Sequence, residues 1–251
     1  MNSFIGWIGG KRQLRKEILH RFPKDIGRYI EVFGGAGWVL FGKEQMPGQM
    51  EVFNDLNGDL INLYRCVKYH ADAVRRELDG ILDSRELFFD CLAQLSMRGL
   101  TDIQRAARYL YLIKFSFGSD QRTFATAPKS IANTMDMLPK VKERLKHVVI
   151  ERRDFEPLVR TYDRTDALFY LDPPYVGTEK YYSVGFDTMD HARLASMLHG
   201  IKGRFILSYN DDNNIRDLYP WCRIESVSRS NTLSGSKSNA TPFREIIICN
   251  F

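Results

Sequence analysis

The sequence predicts an α/β fold: a doubly wound, mostly parallel sheet that carries a mainly helical insertion. Three observations point there. Strand-length apolar runs alternate with helical patterns up to about residue 56 and again from about 148, as in sheets covered by helices. Between 57 and 147 the alternation stops and helix follows helix. The run Ala167-Leu168-Phe169-Tyr170-Leu171 is apolar throughout, the pattern of a parallel strand buried on both faces.

The elements follow in order. Segments 29–33, 50–54, 148–152, 167–171, 204–209, 223–227 and 244–250 read as strands. A helix is predicted over 11–22, with Leu14, Ile18 and Leu19 on one face, and another over 190–199, with Leu194, Met197 and Leu198. His191 and His199 on that second helix read as surface or core-edge residues. The insertion reads as helices over 59–69, 71–82, 85–97, 103–117 and 133–147. Before the last lies SFGSDQRTFATAPKSIAN, poor in large aliphatics, which reads as a long loop. Long loops in compact domains are usually functional or disordered.

Two strand ends draw attention. The first strand runs into Gly34-Gly35-Ala36-Gly37, and a helix begins near Trp38. Glycines at such a turn let the backbone approach a ligand, or simply make the turn tight. The next strand ends in NDLN, and Asp55 lies 18 positions after Gly37. An acid at about that distance commonly accepts hydrogen bonds from ribose hydroxyls, so the pair points to an adenosine-type ligand. The loop is neither the dinucleotide G-x-G-x-x-G nor a phosphate-binding G-x-x-x-x-G-K-[ST].

The second is LDPPY. Pro173 and Pro174 have no N–H and cannot continue a ladder, so the strand must stop at Asp172. Each proline also biases the residue before it toward extended backbone. Asp172-Pro173-Pro174-Tyr175 is therefore a stiff segment at the carboxyl end of a strand, the edge where open α/β sheets bind ligands.

Composition narrows the class. Hydrophobic residues make up 44% and charged residues 27% of 251, an ordinary globular balance. The apolar runs fall far short of the ~20 residues of a membrane helix. The N-terminal stretch lacks a secretory pattern, which predicts a cytoplasmic protein with no membrane partner. The four cysteines form no C-x-x-C pair and the five histidines lack ligand spacing, so no metal site is expected and the cysteines read as buried thiols. A net charge of +5 suits a polyanionic partner.

Together, FIGWIGGKRQL, EVFGGAG, NDLN and LDPPY, in this order over nearly the whole chain, resemble the Dam-type (D12 class) DNA adenine N6-methyltransferases. The resemblance implies a Rossmann-like methyltransferase sheet with residues 1–56 and 148–251 as the catalytic domain and 57–147 as a target-recognition insertion. It implies S-adenosyl-L-methionine as cofactor and double-stranded DNA as partner, with methyl transfer to N6 of an adenine flipped out of the duplex. No metal is implied, because the sulfonium is already an activated donor. Asp172, Pro173, Pro174 and Tyr175 match the catalytic tetrapeptide: the Asp172 carboxylate and the Pro173 carbonyl would grip the amine hydrogens, and Tyr175 would stack on the base. Trp7, Lys11, Phe33, Gly35, Gly37, Asp55, Asp154, Phe155 and Asp172 match cofactor positions, with Asp154 also a candidate helix N-cap. Read alone, Trp7 would be a core tryptophan and Lys11 a solvated lysine at a helix start.

For DNA contact, FSFGSDQRTF resembles the family's recognition hairpin, with Phe117 in the aromatic and Arg122 in the arginine position. It departs at Gly118, where asparagine is usual, and at Ser119, where glycine is usual. Lys129 in the same loop, Tyr182 beyond the tetrapeptide, and Arg229 and Lys237 in SRSNTLSGSKSNATPFRE complete the set, the last two suiting phosphate contact. Alternatives that the residues leave open are an RNA or protein-amide methyltransferase and a non-catalytic DNA-binding relative. A companion restriction endonuclease, the oligomeric state and the target sequence stay open.

Overall fold

The computed structural model describes residues 1–178, 185–229 and 243–251, without the side chains of 229 and 243. The elements run α1 (Arg15–His20), β1 (Arg28–Glu31), α2 (Trp38–Gly42), β2 (Met50–Asn54), α3 (Gly58–Leu78), α4 (Arg85–Leu95), α5 (Asp102–Phe115), α6 (Ala132–Leu145), β3 (Val148–Glu151), α7 (Phe155–Tyr162), β4 (Ala167–Leu171), α8 (Thr188–His199), β5 (Arg204–Asn210), α9 (Asn213–Leu218), β6 (Arg223–Arg229) and β7 (Phe243–Cys249). The chain divides into two compact units. One, the helical unit, gathers Met1–Lys11, Gly35–Glu44 and Asp55–Arg152; the other, the sheet unit, gathers Arg12–Gly34, Gln45–Asn54 and Arg153–Phe251.

Six of the seven strands belong to the sheet unit, in the order β2-β1-β4-β5-β7-β6. β1 runs parallel to β2 and β4, and β4 parallel to β5, while β7 runs antiparallel to β5 and β6. The mostly parallel sheet is as expected. All five residues of β4 are buried, which its unbroken apolar run requires of a central strand. The strand order reverses at β1 and β4, since β2 lies on one side of β1 and β4 on the other. The Val32 amide still donates to the Tyr170 carbonyl at 2.9 Å, so the chain leaves both strands side by side at this switch point.

In the helical unit, α3 packs on α5 and α6 through buried Leu60, Leu63, Tyr64 and Val67 and their neighbours. The sequence predicts two helices broken near residue 70; they form one element with a non-helical residue at His70 (φ −134°, ψ 35°). A capping box of Thr101 and Gln104 starts α5. The N-terminal segment and glycine loop join this unit: the Phe4 ring lies 6.0 Å from Phe41 and 5.4 Å from Tyr64.

Four expectations change. The helix predicted over 11–22 covers only Arg15–His20, because Gly9 (φ +74°) and Gly10 turn the chain back on Trp7 just before it. Lys11 is accordingly no solvated helix-start lysine: it is buried and donates to the Gly9 carbonyl at 2.9 Å. His191 is buried as well, its Nδ1 2.7 Å from the Tyr209 hydroxyl. The cysteines are free, with Cys222 only half-buried. Among the described residues no helix is long and apolar enough to cross a membrane, and no cluster of metal-ligating side chains occurs.

Candidate active site

In the helical unit, the glycine loop and the acid of NDLN meet. Gly35 (φ +49°) and Gly37 (φ +65°) occupy the left-handed region, and Gly37 is the N-cap of α2. A Cβ on Gly35 would lie 2.9 Å from the Trp7 ring, so only glycine lets that half-buried indole lie flat against the loop. The Gly35 amide donates to Asp55 Oδ2 at 2.9 Å and the Asn57 amide to Oδ1 at 2.8 Å. Burial pushes the Asp55 carboxyl above the usual range, against the pull of these amides. Asn57 caps α3 and donates from its side chain to the Tyr109 hydroxyl of α5 at 3.1 Å. Trp7, Gly35 and Asp55 thus come together in one unit, and Tyr109 joins them without a signal in the sequence.

In the sheet unit, Asn54 straps the carboxyl ends together. Its amide nitrogen donates to the carbonyls of Val32 (2.8 Å) and Arg153 (3.0 Å), and its oxygen accepts from the Arg153 amide (2.9 Å). Asp154 then caps α7, accepting from the Glu156 amide at 3.0 Å. Both its oxygens also accept from Arg193 at 2.9 Å. The Arg193 guanidinium holds the Asp154 carboxyl below its usual range, with burial opposing. The same guanidinium lies 4.0 Å over the Phe155 ring. Phe33, 5.8 Å from Phe155 and from Phe186, completes an aromatic cluster. Asp154 and Phe155, both matched to cofactor positions, are therefore held by one arginine that the sequence does not flag.

The tetrapeptide leaves β4 in the same unit. Pro173, Pro174 and Tyr175 are buried, while Asp172 stays partly exposed. Asp172 Oδ1 accepts from the Ser208 hydroxyl of β5 at 2.9 Å. Tyr175 donates through its hydroxyl to Glu245 Oε2 of β7 at 2.7 Å. Burial, then the charges of Asp172 and Glu245, push the Tyr175 hydroxyl well above the ordinary phenol range, so it keeps its proton. Ser208 and Glu245 escaped the sequence reading, although each is a polar residue inside an apolar strand.

The long loop of the insertion is a short hairpin. Ser116 and Phe124 form an isolated antiparallel bridge, and Gly118, Ser119 and Gln121 all have positive φ at the tip. Ser119 takes the left-handed backbone (φ +63°) without being glycine. Asp120 sets the turn, its Oδ1 accepting from the Arg122 (2.9 Å) and Thr123 (3.0 Å) amides. Phe117 is 67% exposed and Arg122 is exposed too, so both can meet a partner. Lys129 instead donates to the Ser116 carbonyl at 2.5 Å, tying the loop's end to its start. Tyr182, Lys237 and the Arg229 side chain lie outside the described residues.

The model of one protein family, D12 class N6 adenine-specific DNA methyltransferase, matches residues 7–233. The chain belongs to that family. The match runs from Trp7 past the tetrapeptide and so covers the glycine loop, NDLN, the hairpin and LDPPY. Relatives are similar over nearly their full length. A type II methyltransferase, M1.LlaDCHI of Lactococcus lactis subsp. cremoris, is 26% identical over 277 residues, covering 100% of this chain and 96% of the relative. The DNA adenine methylase of Haemophilus influenzae is 24% identical, covering 97% and 92%, and that of Escherichia coli K12 is 23% identical, covering 98% and 94%. The chain is an adenine-specific DNA methyltransferase.

Proposed function

We propose that this methyltransferase takes its methyl group from S-adenosyl-L-methionine and delivers it to N6 of an adenine flipped out of double-stranded DNA at a specific site. One observation carries the reading: Asp172-Pro173-Pro174-Tyr175 leaves the central strand at the switch point, with its carboxylate held from β5 and its hydroxyl from β7. The exocyclic amine of adenine is a poor nucleophile, because its lone pair is delocalised into the ring. The Asp172 carboxylate and Pro173 carbonyl accept its two hydrogens and stabilise the positive charge that develops on nitrogen. Buried prolines and the Ser208 hydrogen bond hold the acceptors in place beforehand, so little reorganisation is needed. Tyr175 stacks on the base and, with the amine hydrogen bonds, offsets an extrusion cost of a few kcal/mol.

The residues fit the proposed cofactor. Gly35 and Gly37 turn through positive φ with no side chain of their own over the backbone, and the Asp55 carboxylate lies against that turn, accepting from the Gly35 amide at 2.9 Å. Asp55, with Trp7, Lys11, Phe33, Gly35 and Gly37, binds the nucleoside and its tail, and Asp154 and Phe155 bind the adenine. The bound cofactor supplies a sulfonium methyl, already activated for transfer. In this reading residues 1–56 and 148–251 are the catalytic domain and 57–147 the target-recognition insertion, in which Phe117 and Arg122 face DNA and Lys129 supports them by closing the loop on Ser116; Tyr182, Arg229 and Lys237 complete the DNA set. The type II names of some relatives support a companion endonuclease, and the DNA substrate supports work in the cytoplasm. The test is incubation with labelled S-adenosyl-L-methionine and, separately, duplex DNA, RNA and protein. Label on adenine N6 of duplex DNA in one sequence context is expected; label on RNA or protein alone, or cofactor binding without turnover, overturns the reading.

A further inference from the structure

The strand β7 reads Phe-Arg-Glu-Ile-Ile-Ile-Cys. Glu245 in it is fully buried, paired with Asn210 of β5 on one side and Val227 of β6 on the other. Burying a carboxylate weakens a fold unless good hydrogen bonds compensate it. Packing does not call for one here, because Ile246, Ile247 and Ile248 beside it supply the core. What Glu245 touches is the tetrapeptide: its Oε2 accepts from the Tyr175 hydroxyl at 2.7 Å. The rest of Tyr175 is held as well. Its amide donates to the Thr178 hydroxyl at 3.1 Å, and its ring lies 5.9 Å from that of Tyr209, tilted by 38°. A tyrosine ring can swing between staggered rotamers about its Cα–Cβ bond, which carries the hydroxyl with it. A hydrogen bond at the far end of the ring adds a second point of attachment.

We infer that Glu245 is a positioning residue for methyl transfer, anchoring the Tyr175 hydroxyl so that the ring stands ready to stack on the target adenine. The inference rests on the reading that Tyr175 stacks on that base. Glu245 reaches neither base nor cofactor in this role; it acts through Tyr175. Small displacements of a reacting group cost turnover out of proportion to their size. A positioning role therefore shows in the rate of transfer and leaves cofactor affinity alone.

The experiment is a double-mutant cycle read as kcat at saturating cofactor and DNA. Tyr175→Phe removes only the hydroxyl; Glu245→Leu removes the acceptor and keeps the volume; Glu245→Gln keeps an acceptor oxygen. Tyr175→Phe and Glu245→Leu should each lower kcat about three- to tenfold, the scale of one hydrogen bond. The double variant should be no slower than either single variant, because the pair acts as a unit. Glu245→Gln should recover most of the loss, and cofactor affinity should stay within about twofold throughout. Multiplying losses, or full activity of Glu245→Leu, overturn the inference. If Glu245→Leu does not fold, Tyr175→Phe and Glu245→Gln decide it, and full activity of Tyr175→Phe overturns it. Tyr175→Ala separates the underlying reading: near-normal kcat there removes Tyr175 from the base, whereas a slow Tyr175→Ala beside fully active Tyr175→Phe and Glu245→Leu sinks only the role of Glu245.

Discussion

The tetrapeptide at the end of β4 and the hairpin tip around Phe117 to Phe124 are both loops, and they are built in opposite ways. In the tetrapeptide, three of four residues are buried, and its two polar ends are tied to Ser208 on β5 and Glu245 on β7. In the hairpin, the turn is shaped by Asp120 within the loop itself, and Phe117 and Arg122 stand in solvent. Chemistry at one nitrogen atom needs acceptors fixed to a fraction of an ångström, which buried strands provide. Sequence reading needs side chains that reach a groove and can change without disturbing the core, which an exposed tip provides. It is also at the tip that the chain departs from its family's usual residues, with Gly118 and Ser119.

This contrast can be broken most severely at Asp172. Asp172→Ala should lower kcat by about 10²–10³, the cost of one preorganised electrostatic group, with cofactor affinity reduced less than turnover. Near-normal turnover would mean that the enclosed segment is not where the chemistry occurs. Next in size is Asp55→Ala, which leaves ribose hydroxyls without a charged acceptor; a loss of about 1.5–3 kcal/mol in cofactor binding should appear by calorimetry. Asp55 also predicts a pH dependence. Burial raises its pKa, so the free protein takes up a proton at a higher pH than an ordinary aspartate would. Ribose donors favour the ionised form. Affinity should therefore be full above the raised pKa and fall as pH drops through it, while Asp55→Asn should give a flatter profile.

At the open tip the effects should be smaller and different in kind. Arg122→Ala should lose about 1–3 kcal/mol of discrimination at a guanine flanking the target adenine, measured by methylation of single-base variants at fixed salt. An equal loss on every variant would assign Arg122 to the phosphate backbone. Smallest of all, Asp120→Ala removes the acceptor that shapes the turn. It should weaken DNA binding by about 0.5–1.5 kcal/mol and leave kcat at saturating DNA unchanged, which a binding titration paired with saturation kinetics would check. A drop in kcat would mean that the tip contributes to the chemistry.

The two regions also differed in how far the sequence disclosed them. β4 and its end were legible, because an unbroken apolar run followed by two prolines leaves the backbone few choices. The glycine loop and Asp55 were legible for a similar reason: positive φ at Gly35 and Gly37 demands the residue that is there. The hairpin was legible only as a loop. Its bridge and its left-handed Ser119 and Gln121 depend on Asp120 and on packing around the turn, which side-chain periodicity does not report. Ser208, Arg193 and Glu245 were hidden because their partners lie 36, 39 and 70 positions away in the chain. A serine in FILSYN or a glutamate before three isoleucines is a visible anomaly, but only the fold says what it touches.

The most direct measurement is base-resolved sequencing of a duplex library with randomised flanks around adenine, after methylation by the native protein and by the Asp172→Ala and Arg122→Ala variants. Native protein should mark adenine N6 in one context. Asp172→Ala should lower the mark everywhere without changing that context, and Arg122→Ala should spread it over more contexts while preserving the rate at the best. Strong methylation by Asp172→Ala, or an unchanged context with Arg122→Ala, would contradict the division between an enclosed chemical segment and an exposed reading tip.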